Sequence, residues 1–155
     1  MLGALTISAK VAMSGLYNIE PVSLLVMLYA AVFGWKAIFP ISIYVAMEML
    51  LYPVGYWNLN YLYIWGILAV AAYFMRKLRH PIWWALLSGL FGLSFGLLCT
   101  PVYAIFFGVP YAFLWWTKGI VLADPLHAAG NFVIALLLFV PMREVMQRLY
   151  KEILK

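Results

Sequence analysis

The sequence is poor in charge and in cysteine. Asp, Glu, Lys and Arg make up only 10% of its 155 residues and hydrophobic residues 68%, against about 25% and about 45–50% in a soluble domain. So few charges cannot clothe a water-soluble fold of this size. Nor is so apolar a chain disordered, because disorder requires low hydrophobicity. The lone Cys99 excludes a disulfide within one chain and a multi-cysteine zinc site. With only His80 and His127 besides, a buried metal cage is not expected. No GxxxxGK[ST] loop, GxSxG elbow, HExxH pair or paired-carboxylate motif occurs. Sustained period-two alternation is missing, which excludes a membrane β-barrel. Internal duplication is missing too, although a transporter working alone would usually show inverted repeats. No basic stretch lies between Met1 and the first apolar run, so a removable signal peptide is not expected. No cofactor or metal is implied.

What remains is a set of apolar runs. A helix needs about 20 apolar residues to cross a bilayer, fewer where the membrane thins. Six runs come near that length: 2–16, 21–33, 37–52, 60–75, 81–100 and 124–141. Tyr17, Asn18 and Glu20 close the first, and Pro21 suits the first turn of the second. Gly34 to Lys36 separate the second from the third, and Pro53 and Gly55 end the third. Arg76, Lys77, Arg79 and His80 follow the fourth, and Pro101 disturbs the fifth. The stretch 102–123 is apolar and aromatic but interrupted by Gly108, Pro110 and Gly119, which predicts a structured loop lying against the bundle. Residues 142–155 alternate apolar and basic faces and predict an amphipathic tail. The expected fold is a single all-α membrane domain, 1–155, with six transmembrane helices.

Six spans place both termini on one side. That side holds Lys36, Arg76, Lys77, Arg79, Arg143, Arg148, Lys151 and Lys155, or nine basic residues if Lys10 snorkels toward it. The other side holds only Lys118. The positive-inside rule makes the basic side cytoplasmic. The net charge of +5 is then topological and calls for no nucleic-acid partner; the partner it implies is the bilayer.

Polar groups inside the runs are costly and need an account. Glu48 lies in the outer half of the third run, about 18 Å from its inner end at 1.5 Å per residue. It either pairs with Lys10, in the middle of the first run, or serves a ligand. Asp124, His127 and Asn131 are spaced i, i+3, i+7 and share one helix face. Asp124 before Pro125 also fits a helix cap. His127 and Asn131 either hydrogen-bond between helices or line an outward-facing cavity. The segments around Trp57, Asn58 and Asn60 and around Trp115 and Trp116 are dense in rings. An interfacial belt explains many of these, whereas interspersed amides also suit a pocket for a planar ring system. Ala4, Ser8 and Ala12 form a small-residue stripe for a partner helix, and Ser88, Gly92 and Gly96 form a second for packing inside the protein.

Six short spans, a small-residue first helix, Asn18-Ile-Glu20-Pro21-Val-Ser-Leu24 opening the second span and Asp124-Pro-Leu-His127-Ala-Ala-Gly130-Asn131-Phe132 opening the last together resemble the S component of an energy-coupling factor (ECF) transporter. The resemblance implies a substrate-binding subunit without catalytic activity, in the plasma membrane of a prokaryote. Such a subunit captures a vitamin or related micronutrient outside the cell and docks on a transmembrane T component carrying two cytoplasmic ATPases. It further implies that docking uses small residues of the first helix, here Ala4, Ser8 and Ala12, with a serine where alanine is expected. Substrate contacts would come from Glu48, Trp57, Asn58, Trp115, Asp124, His127 and Asn131. Two other classes fit the same residues. One is an intramembrane enzyme acting on a lipid or isoprenoid, with Glu48, Asp124 and His127 as acid and base groups. The other is a scaffold for other membrane proteins.

Overall fold

The computed structural model describes residues 1–16 and 18–153; Tyr17 and the final Leu154 and Lys155 of the expected tail lie outside the described residues. All regular structure among the described residues is helical. The elements are α1 (Leu2–Ala12), α2 (Val22–Phe33), a 3-10 turn (Gly34–Ala37), α3 (Ile38–Leu51), α4 (Tyr56–Met75), α5 (Pro81–Phe107), α6 (Val109–Leu122) and α7 (Asp124–Ile153). Four helical stretches are long and apolar enough to cross a membrane: Val22–Leu51, Tyr56–Met75, Pro81–Phe107 and Asp124–Ile153. Their outer faces carry exposed Leu62, Phe74, Leu90 and Leu137. In water such continuous apolar surface would aggregate, and in lipid it is solvated. The chain has the make-up of a helical membrane-embedded protein.

The first of those stretches folds back on itself. Gly34 adopts φ +65°, a left-handed geometry that glycine reaches without steric cost. Lys10 contacts both Glu20 and Glu48, residues that a straight helix would hold about 40 Å apart. The stretch is therefore a hairpin of two short arms. At 12 and 14 residues, each arm is only about 18–21 Å long. Residues Val22 to Ala31 are all buried, so α2 is apolar on every side because every side meets protein. It stands at the centre, against α1, α4 and α7.

The most extensive helix pairing joins α5 and α7. Gly89, Gly92 and Gly96 bring the backbones close, since a Cβ on Gly92 would sit 2.9 Å from the Ala128 nitrogen. Further along, Trp84 and Phe139 stack with centroids 3.9 Å apart. The stripe of Ser88, Gly92 and Gly96 thus packs inside the protein. Phe33 meets Tyr150 edge-on at 5.0 Å, and Arg143 donates to the backbone carbonyls of Leu78 and Arg76. These contacts gather the basic ends of α2, α4 and α7 at one end of the bundle.

Two expectations are corrected. The fifth helix does not stop near Thr100 but runs to Phe107. Pro101 cannot donate to the Leu97 carbonyl, yet the Thr100 hydroxyl does so at 2.7 Å, and a side chain that re-satisfies a freed carbonyl is how an apolar helix tolerates proline. Residues 102–123 are not a loop: they finish α5, turn at Gly108 with φ +86° and return as α6. Stacking of Tyr103 on Trp115 at 4.4 Å and the contact of Phe107 with Tyr111 at 4.9 Å hold this return antiparallel to α5. The last helix runs through Pro141 to Ile153, so the expected span 124–141 and the described part of the amphipathic tail form one helix, tied down by Arg143, Met146 and Tyr150. The bounds of two other runs shift as well, since α1 ends at Ala12 and α4 begins at Tyr56.

Candidate functional site

The site lies at the end of the bundle opposite the basic cluster, where the short helices stop and the long ones continue. Lys10 near the end of α1, Glu20 just before α2, Glu48 in the last turn of α3 and Asp124 at the start of α7 all reach this level. Beyond it rise the first turns of α4, the last turns of α5 and all of α6. Tyr56 meets Phe106 and Phe107, each at 4.8 Å, and Phe107 lies eleven residues past Gly96, about 16 Å higher. The polar groups therefore form the floor of a vestibule with aromatic walls.

A cavity of about 230 Å³ opens there. Its walls are Tyr61 and Trp65 from α4, Phe95 from α5 and Trp115 from α6; its polar groups are Asn18, Glu20, Asp124 and His127. Two adjoining chambers share residues with it. One, of about 290 Å³, is lined by Lys10, Glu48, Tyr52, Trp57 and Tyr61, and the other reaches Lys10 past Asn18 and Glu20.

Local sequence explains the floor. Pro125 lacks the N–H that would carry α6 into α7 and its ring obstructs the preceding turn, so the helix breaks at Ala123 and restarts at Asp124. Asn18 sits at φ +54°, which its short side chain tolerates, and its amide donates to the Ala123 carbonyl at 3.5 Å. Gly96 leaves the space that the Asp124 carboxylate fills: a Cβ there would lie 2.5 Å from Oδ2. That oxygen is buried without a hydrogen-bond partner among the described residues.

Lys10 Nζ lies 2.9 Å from Glu48 Oε1 and 3.9 Å from Glu20 Oε2. Its ammonium also stands over the rings of Tyr52 and Tyr61, 5.5 and 5.4 Å from their centroids, where ring quadrupoles attract a cation. Glu48 is fully buried and Glu20 about one-third exposed. Burial pushes the Glu20 carboxyl above the ordinary range, Lys10 draws it back down, and Glu48 pushes it up again.

The residues singled out in the sequence separate into two groups. Trp115, Asp124 and His127 line the cavity, and Glu48 and Trp57 line the chamber beside it. Asn58 does not reach either lining: it is buried in the first turn of α4, where its Oδ1 accepts from the Gly55 backbone. Asn131 also stays out of the lining. Its Nδ2 donates to Ser23 Oγ at 3.0 Å and to the Ser88 carbonyl at 3.4 Å, joining α7 to α2 and α5. Glu48, Asp124 and His127 do not converge on one cavity as an acid–base set would require. Of the small-residue stripe, Ala4 is half-buried, whereas Ser8 and Ala12 are exposed on the face of α1 turned away from the bundle.

Asn18, Glu20, Tyr61, Trp65 and Phe95 were not singled out as site residues. The i, i+4 pair Tyr61 and Trp65 on one helix face was the available signal. Nothing in the sequence placed that face opposite Asp124.

Comparison with protein families, with characterised proteins and with solved structures finds no match for this chain.

The two positions of Asn131 and His127 yield a prediction. Asn131→Leu should lower stability by about 1–3 kcal/mol, because Ser23 and the Ser88 carbonyl lose a buried partner, while any ligand affinity of the cavity stays within about threefold. Thermal unfolding beside a binding titration measures both. An affinity loss at unchanged stability would place the amide in the binding site instead.

Proposed function

We propose that the chain is the substrate-capturing S component of an ECF-type importer, taking a small micronutrient from outside the cell and delivering it after docking on a T component with two ATPases. The observation that carries the reading is the vestibule: an aromatic cavity with convergent polar groups, open at the end opposite the basic cluster. Pockets of this make-up are the usual form of small-molecule sites. In this reading the basic end is cytoplasmic, α6 and α7 together form the sixth crossing, and both termini face the cytoplasm.

The exposed face of α1 supports docking. Ser8 and Ala12 point away from the bundle, and small side chains let a partner helix approach closely. The separation of Glu48 from Asp124 and His127 makes the intramembrane-enzyme reading the weaker one.

Isolation of the tagged full chain from its host's membranes tests the proposal. A transmembrane partner and ATPase subunits should co-isolate with the parent chain, and Ala12→Trp should reduce their recovery at least about tenfold by blocking close helix approach. Equal recovery with the tryptophan variant would remove α1 from the docking surface. Absence of any ATPase from the parent isolate would overturn the importer reading.

A further inference from the structure

We infer that the cavity selects a small, flat organic cation. The inference rests on the substrate-capture reading and adds the charge and shape of the ligand.

Three carboxylates and one ammonium line the cavity and the chambers that adjoin it. When ionised, Glu20 and Glu48 share Lys10, which leaves one negative charge in excess, and an ionised Asp124 adds another. The amino end of α7 offsets about half a charge at Asp124, so the floor stays net negative. His127 would add a positive charge only when protonated, and among the described residues no carboxylate lies within ion-pair distance of it. Lys118 is exposed on α6 and does not line the cavity.

Asp124 is 5% exposed, and its Oδ2 is buried without a partner. An unpaired buried carboxylate is costly unless something compensates it. It lines the cavity together with Tyr61, Trp65 and Trp115, so a cation entering the cavity would have a carboxylate and aromatic rings around it. The neighbouring chamber already shows this chemistry. There the Lys10 ammonium rests against Tyr61 and Tyr52 while it bonds to Glu48. Tyr61 belongs to both chambers. An anionic ligand would find no free cation on the floor, since Lys10 is held by two carboxylates. A neutral ring would gain the stacking but leave the charge of Asp124 uncompensated.

Three ring compounds of nearly one size and different charge provide the test: the 1-methylnicotinamide cation, neutral nicotinamide and the nicotinate anion. Each is titrated against the full chain in lipid nanodiscs, with calorimetry and tryptophan fluorescence as readouts. The cation should bind about tenfold or more tightly than nicotinamide, and nicotinate most weakly. Asp124→Asn should remove most of the preference for the cation over nicotinamide. Glu20→Gln should do the same to a smaller extent, and it carries the test if the Asp124 variant fails to fold. Tighter binding of nicotinamide or nicotinate would overturn the cation assignment while leaving the cavity as a ligand site. Binding of none of the three would overturn both the assignment and the cavity reading beneath it.

Discussion

Replacing Lys10 by methionine is expected to destabilise the protein by about 3–5 kcal/mol, the cost of stranding one partner of a buried ion pair. Glu48 is fully buried, its second oxygen has no partner, and Lys10 at 2.9 Å is the only cation among the described residues within ion-pair distance. Methionine matches the lysine stem in length and apolar character, so the packing against Tyr52 and Tyr61 survives while the charge is lost. The double variant Lys10→Met with Glu48→Gln should recover more than half of the loss, because two neutral groups replace one stranded charge. Unfolding of each variant in detergent, followed by circular dichroism, measures the set. A single variant as stable as the parent would show that Glu48 does not depend on Lys10.

The pairing itself was legible as one of two alternatives, because two opposite charges stood within apolar runs and such charges seek each other. The membrane class was legible from composition alone. So were the short second and third runs, since Gly34 separates them and the chain reverses there. What could not be read was depth. Asp124, His127 and Asn131 share a helix face, yet one turn separates a residue that lines the cavity from one that bonds Ser23 between three helices. Periodicity gives the face of a helix, but only the neighbours decide what covers that face. The helical return at α6 was hidden for a related reason. Gly108 marked a true break, but Gly119 lies inside α6, Pro110 starts a helix rather than ending one, and Thr100 lets α5 run through Pro101. The missed wall residues Tyr61, Trp65 and Phe95 belong to runs whose rings also suit a core or a lipid face. Their role depends on α5 and α7 lying close enough to leave a cavity beside them.

That closeness is what the largest steric prediction tests. Gly92 faces α7 at the level of Ala128, where an added Cβ would lie 2.9 Å from a backbone nitrogen, 3.0 Å from a backbone Cα and 3.0 Å from the Asn131 amide. Two of those three atoms are main chain and cannot rotate aside. Gly92→Ala should therefore cost about 1–3 kcal/mol, the usual range for overpacking. Gly92→Leu adds three further carbons at the same point and should exceed about 3 kcal/mol, leaving little folded protein at ambient temperature. Parting the helices here also loosens the seat of Asp124 on Gly96, one turn along the same face. The alanine variant, if it folds, should accordingly lose ligand affinity as well as stability. Gly66 is the matched control, because an added Cβ there meets nothing within 4 Å, so Gly66→Ala should be neutral or mildly stabilising. Unfolding temperatures of the three variants, measured in one detergent, give the comparison. If Gly92→Leu matched Gly66→Ala, α5 and α7 would not be pressed together at Gly92, and the floor of the vestibule would have to be held by other contacts.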